Sequence, residues 1–199
     1  MLQIRNEIER GCLLIASPLV PMDQHFIRSV VLITDHDSEL GSSGFVLNRP
    51  LPEEQQSLMS MAMCDQVLQS TIYSGGPVGV DQAFCLIDSG TPLGGGERLP
   101  CGLEVTKEIF QPENFDDVLA GATGNTLIQS RLKFFRGYAG WSPGQLTAEL
   151  EEEIWLLVAG EGVPFIFSEP ENLWSNLLLE LPESQYHIWS QWPVDCRIN

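Results

Sequence analysis

The stretch that most constrains how this chain can fold is residues 134–150, reading Phe-Phe-Arg-Gly-Tyr-Ala-Gly-Trp-Ser-Pro-Gly-Gln-Leu-Thr-Ala-Glu-Leu. It reads as the end of a strand, then a turn with Gly137 and Gly140 around Tyr138 and Ala139, then Trp141 and a helix. Ser142 suits the N-cap and Pro143 the first helical position. Gln145 follows three residues after the cap, which completes a Ser-x-x-Gln capping box. Leu146 and Leu150 then share one helix face. A chain carrying this corner must pass directly from sheet to helix.

The rest of the chain supplies short apolar runs punctuated by glycine and proline. Residues 12–16 form a continuous apolar run of strand length, so a strand buried on both faces is expected. Pro18 and Pro21 end it. Residues 29–34 and 44–48 read as the two strands of a hairpin, with a polar turn over 35–43. A helix is expected over 53–62, with Leu58, Met61 and Ala62 inward. Residues 71–73 read as a short strand broken by Ser74-Gly75-Gly76-Pro77-Val78, and 83–87 as a strand pairing back on it. A flexible loop over 90–96, a strand over 103–109, a helix over 112–119 and a strand over 126–135 follow. Residues 155–158 form the last strand. Ser168 and Glu171 make a second capping box for a helix whose apolar face is Leu173, Trp174, Leu177, Leu178 and Leu181. Seven or eight strands with four helices and several consecutive hairpins point to α+β: a mixed, mostly antiparallel, strongly curved sheet with helices packed outside.

Charge excludes more than it identifies. The 199 residues carry 27 acidic and 10 basic side chains, a formal net charge of −17. Nucleic-acid affinity comes largely from phosphate neutralisation by Lys and Arg. Here only Arg131, Lys133 and Arg136 cluster. Direct nucleic-acid or anionic-membrane binding is therefore disfavoured, and a basic or neutral protein partner fits better. The five cysteines show no paired spacing, and no signal peptide or membrane span is visible, so a cytoplasmic location is expected. His25, His36 and His187 are far apart and read as surface or turn histidines, so no metal and no cofactor is expected.

Most motifs that could carry chemistry have a structural reading. Ser42 and Ser43 lie between glycines without the Gly-x-Ser-x-Gly pattern, as in a hairpin turn. Gly75 and Gly76 suit a tight turn at a close backbone approach. The acidic run at 151–153 reads as a solvated turn. Asn48-Arg49-Pro50 is different, because Asn and Arg at a strand end need partners if buried. One reading is a clamp from Arg49 to an acid or a carbonyl. The other is a shallow polar-aromatic pocket built from Asn48, Arg49, Tyr138, Trp141, Gln145 and Glu149.

Three phrases occur together here: Leu13-Leu-Ile-Ala-Ser-Pro18 with Gly44-Phe-Val-Leu-Asn-Arg-Pro50, then Tyr73-Ser-Gly-Gly-Pro-Val78, then Gly137-Tyr-Ala-Gly-Trp-Ser-Pro-Gly-Gln-Leu146 with Glu149, Leu150 and Trp155. In this order they resemble the bacterial YqgE/AlgH family over about residues 10 to 180. The resemblance implies a bifurcated sheet curled into a pseudo-barrel. It implies no agreed catalytic set, and some members are labelled transcriptional regulators. Pro18, Pro50, Gly75, Gly76, Pro77, Gly137, Gly140 and Gly144 are its structural positions. One domain over 1–181 with a tail over 182–199 is the expected organisation. The expected function is a non-catalytic protein- or ligand-binding module with a regulatory role. The alternative is a hydrolase-like enzyme using a polar pocket near Asn48 and Arg49.

Overall fold

The computed structural model describes residues 2–19, 25–62, 70–88, 102–106, 108–112, 118, 131–159 and 170–192. The strands are β1 (Leu13–Ala16), β2 (Val30–Asp37), β3 (Gly41–Val46), β4 (Ile72–Ser74), β5 (Val78–Asp88), β6 (Gly102–Glu104), β7 (Ile109–Pro112), β8 (Leu132–Trp141) and β9 (Trp155–Val158). The helices are α1 (Glu53–Ala62), α2 (Gln145–Glu151), α3 (Pro170–Leu179) and α4 (Ser184–Ser190). The strands make one nine-stranded sheet in the order β6-β7-β5-β8-β3-β2-β1-β9, and β4 pairs with β8 beside that path. The fold is α+β, with a curled and mostly antiparallel sheet.

The sheet forks at β8. On one edge β8 pairs with β5 along most of its length. On the other, residues 134–136 pair in parallel with β4, and residues 139–141 pair antiparallel with β3. One long strand thus holds two diverging neighbours, which is the bifurcation that the family resemblance implies.

Alternation along the central strands explains why their apolar runs are continuous. Leu13, Ile15, Val30, Leu32, Phe45, Leu47 and Phe135 point to one face, where Leu173, Trp174, Leu177 and Leu178 of α3 and Tyr186 and Trp189 of α4 complete a core. Cys12, Leu14, Ala16, Val31, Ile33 and Val46 point to the other, where Leu146 of α2 packs with Trp141 and Trp155. Successive side chains face opposite sides of a sheet, so strands covered on both sides need apolar residues at every position. Trp174 also donates its indole N–H to the Ala16 carbonyl at 2.8 Å, fixing α3 to β1.

Several expectations change. Residues 35–37 and 41–43 belong to strands, and the turn is confined to 38–40. Leu58 is 69% exposed on α1 and does not point inward, while the Met61 and Ala62 side chains lie outside the described residues. β5 does not pair back on β4, because both flank β8 and are separated by it. Residues 103–109 are not one strand: Ile109 accepts and donates backbone bonds with 105 and 106, and the chain folds into the β6–β7 hairpin. Pro112 ends β7 rather than starting a helix. Val118 is helical and buried, and the rest of that expected helix, the 90–96 loop, residues 126–130 and Ser168 lie outside the described residues. The polar lead-in adds an edge interaction to β9, with an Ile4–Val158 bridge and the Arg5 N–H on the Leu157 carbonyl.

Candidate functional site

The corner at 134–150 is sharper than the sequence suggests. β8 does not turn at Gly137 and Gly140 but runs unbroken to Trp141. Gly137, at φ 67°, sits opposite an irregularity in β5, between the pairs Val78–Tyr138 and Ala83–Arg136. The extra β5 residues there are absorbed by a bend rather than a chain reversal. The 75–76 turn crosses β8 at the same place. A Cβ on Gly75 would lie 2.2 Å from the Gly137 carbonyl oxygen, so only a bare backbone passes there.

The capping box forms only in part. Gly144 has φ 75° and ψ −15°, and the Gln145 N–H bonds to the Ser142 carbonyl at 3.0 Å. Ser142-Pro143-Gly144-Gln145 is therefore a type II turn, with proline and glycine at the positions that turn favours. A residue in the left-handed region cannot continue a right-handed helix, so α2 starts at Gln145 without a side-chain cap. The Gln145 Oε1 still accepts the Ser142 N–H at 3.1 Å, which is the reciprocal half of the box.

Glu149 gathers the aromatic residues behind this turn. Its Oε2 accepts the indole N–H of Trp141 and that of Trp155, each at 2.8 Å. Its Oε1 accepts the Gln145 amide at 2.9 Å. The two indoles meet edge to face at 6.1 Å, and Phe26 packs on both. Buried indole N–H groups need acceptors, and one carboxylate serves both.

Asn48 and Arg49 act at the far end of β3. Asn48 accepts the Val30 N–H and donates to the Arg28 carbonyl, both at 2.9 Å. The Arg49 guanidinium donates to the Ile27 carbonyl, and burial lowers its pKa. The Arg49 carbonyl accepts the Ser74 N–H at 2.7 Å. Together they hold the 25–28 turn, whose Arg28 has φ 55° and stacks over Trp174 at 4.5 Å. This is a clamp onto carbonyls, the first of the two readings of this tripeptide.

An open cavity of about 420 Å³ lies instead where the tip of the β2–β3 hairpin meets the end of β8. Its walls include Asp35, Ser42, Ser43, Val78, Tyr138 and Trp141, with Leu40 and Pro143 at the hairpin and turn. Of the six predicted pocket residues, Tyr138 and Trp141 line it. Gln145 and Glu149 stand behind Trp141, and Asn48 and Arg49 are not among its lining residues. Tyr138 is held edge to face by Phe84 at 5.8 Å. The Leu40 side chain is 84% exposed. The tip is tied by Asp37, whose carboxylate accepts the N–H groups of Glu39 and Leu40 and is held below its ordinary pKa by them. Asp35 pairs with Arg10 at 2.5 Å.

The feature that sequence reasoning missed is polar. The His36 Nδ1 lies 2.8 Å from the Ser42 Oγ, and Ser42 lines the cavity. Hydrophobic patterning alone places both residues in a turn. Only their place as opposed residues in a ladder reveals the pair. Among the described residues the lining offers hydroxyls, one carboxylate, and aromatic and aliphatic surface, but no Lys or Arg to hold a phosphate. Among the described residues no group of three His, Cys, Asp or Glu side chains could hold a metal ion. Nor is any described helix long and apolar enough to cross a membrane. Cys12 and Cys85 are buried free thiols, and burial pushes Cys85 up to about 12.

Comparison with known proteins agrees with this architecture. The DUF179 (AlgH-like) family model matches residues 13–185. A UPF0301 protein of Streptomyces coelicolor is 36% identical over 173 residues, covering 84% of each chain. One of Bacteroides thetaiotaomicron is 29% identical over 184 residues, covering 92% of this chain and 88% of its own. The solution structure of the AlgH protein from Pseudomonas aeruginosa superposes with a TM-score of 0.62 at 28% identity, covering 92% of this chain and 93% of that one. A crystal structure from Corynebacterium diphtheriae shares the fold, with a TM-score of 0.69 at 21% identity over 96% of this chain and 95% of that one. With a family model spanning most of its length and relatives matched nearly end to end, this chain belongs to the AlgH-like (DUF179) family.

Proposed function

We propose that this chain is a cytoplasmic binding protein. Its small ligand, of mixed polar and apolar character, sits in the cavity between the β2–β3 hairpin tip and the end of β8. The observation that carries this reading is a division of labour among polar groups. Asn48, Arg49 and Glu149 are engaged within the protein, whereas Ser42, Ser43 and Tyr138 border open space. Ligand sites combine apolar walls with a few placed polar groups, and this cavity has that composition. A regulatory role would then be exercised through protein contact, because a net charge of −17 opposes direct binding to DNA. A hydrolase centred on Asn48 and Arg49 gains no support from side chains turned onto backbone groups.

Thermal-shift screening of a metabolite library against the wild type and Tyr138→Ser tests the reading. A ligand bound at a hundred times its Kd adds about 2.7 kcal/mol of stability. The expected result is at least one compound that raises the melting temperature of the wild type but not of the variant. Hits that stabilise both proteins equally would place the ligand elsewhere.

A further inference from the structure

We propose that Ser42 is an acyl-accepting nucleophile at the wall of the cavity, with His36 as its base. The proposal goes beyond ligand binding but rests on the cavity admitting a small molecule. Three observations meet here. Ser42 is 9% exposed, and it lines the cavity. The His36 Nδ1 lies 2.8 Å from its Oγ, within the reach a general base needs. The third is the register. From Val31–Val46 to Ile33–Gly44 the β2–β3 pairing would place Asp35 opposite Ser42, but a one-residue shift between Ile33 and Asp35 places His36 there. A bulge that re-aims a side chain is a recurrent device beside active sites. Without it, a carboxylate would face Ser42 in place of an imidazole.

The tautomer protonated on Nε2 leaves Nδ1 to accept the Ser42 proton. With an aryl ester or thioester in the cavity, the Ser42 Oγ–acyl carbon bond forms as the proton moves to His36 Nδ1. The bond from the acyl carbon to the aryl oxygen or sulfur then breaks, and the leaving group takes up that proton. The products are O-acyl-Ser42 and a phenol or thiol. The described residues supply a nucleophile and a base, so donors with good leaving groups are the class that fits.

The test is intact-protein and peptide mass spectrometry of the full chain treated with p-nitrophenyl acetate. The expected result is a single acetyl group on Ser42, absent in Ser42→Ala, and formed about a hundredfold more slowly in His36→Gln. Amide spectra of both variants establish that they are folded. Folded wild type left unacetylated at Ser42 would overturn the proposal, and so would an acetylation rate unchanged by His36→Gln. A thermal-shift ligand that needs Tyr138, found alongside an inert Ser42, would sink the acyl step and spare the binding reading. An acetylated Ser42 with no such ligand would do the reverse.

Discussion

The two ends of β3 carry polar residues of similar character and use them in opposite ways. At the C-terminal end, Asn48 is bonded through both amide atoms and Arg49 is turned onto the Ile27 carbonyl. At the N-terminal end, Ser42 is bonded to His36, and it and Ser43 border a cavity. The first end resembles a binding site in sequence because Asn, Arg and Pro are costly to place without a reason. The reason is local: a turn with Arg28 in the left-handed region needs its carbonyls held. The second end resembles a simple turn in sequence, yet it borders an open cavity. Polar side chains rare enough to be conspicuous are often conspicuous because the fold consumes them.

Substitutions can break this comparison, and the largest effect is expected behind the cavity. Glu149→Ala would leave two buried indole N–H groups without an acceptor, at about 1–3 kcal/mol each, so roughly 3 kcal/mol should be lost in urea unfolding. Glu149→Gln keeps an acceptor and should cost about half as much. Equal costs for the two variants would show that the indole bonds contribute little. Next comes the clamp. Asn48→Ala orphans the Val30 N–H and the Arg28 carbonyl and should cost about 2 kcal/mol, without altering ligand-induced thermal shifts. A stable Asn48→Ala protein that no longer responds to ligand would move the site to the clamp and reverse the comparison.

At the open end the expected stability effects are small. Leu40→Ser, at a side chain 84% exposed, should fall within about 0.5 kcal/mol of wild type. A larger loss would mean that the tip packs against something the fold depends on. The smallest effect is electrostatic. The Asp37 carboxylate has a pKa held below its ordinary value by two backbone N–H groups. A depressed carboxylate contributes stability above its unfolded value, near 3.9, and loses that contribution as pH falls through its folded value. The Glu39 and Leu40 amide resonances should therefore shift together below pH 4. Independent movement would show that the two bonds are not shared by one carboxylate.

The elements were legible where local chemistry decides them. The β-branched run at 30–34 and the apolar face of α3 follow from side-chain pattern alone, whereas α1 has its expected limits with Leu58 exposed rather than inward. Pairing was less legible. Nothing between Ile72 and Ile87 states that β8, far along the chain, will lie between β4 and β5. In sequence Gly137 and Gly140 suggest a turn, because glycine marks turns and close approaches alike, and only tertiary context separates them. The Ser-Pro-Gly-Gln sequence satisfies both a capping box and a type II turn. Gly144 decides for the turn by adopting a positive φ. The His36–Ser42 pair depends on a single extra residue in β2, a register feature that hydrophobic alternation cannot reveal.

The most direct test of the contrast between the two ends of β3 is amide chemical-shift mapping of a bound thermal-shift hit on labelled protein. Perturbations are expected at Asp35, Ser42, Ser43, Val78, Tyr138 and Gly140, with Asn48, Arg49 and Arg28 unmoved. Perturbations centred on Asn48 and Arg49, with the hairpin tip silent, would contradict it.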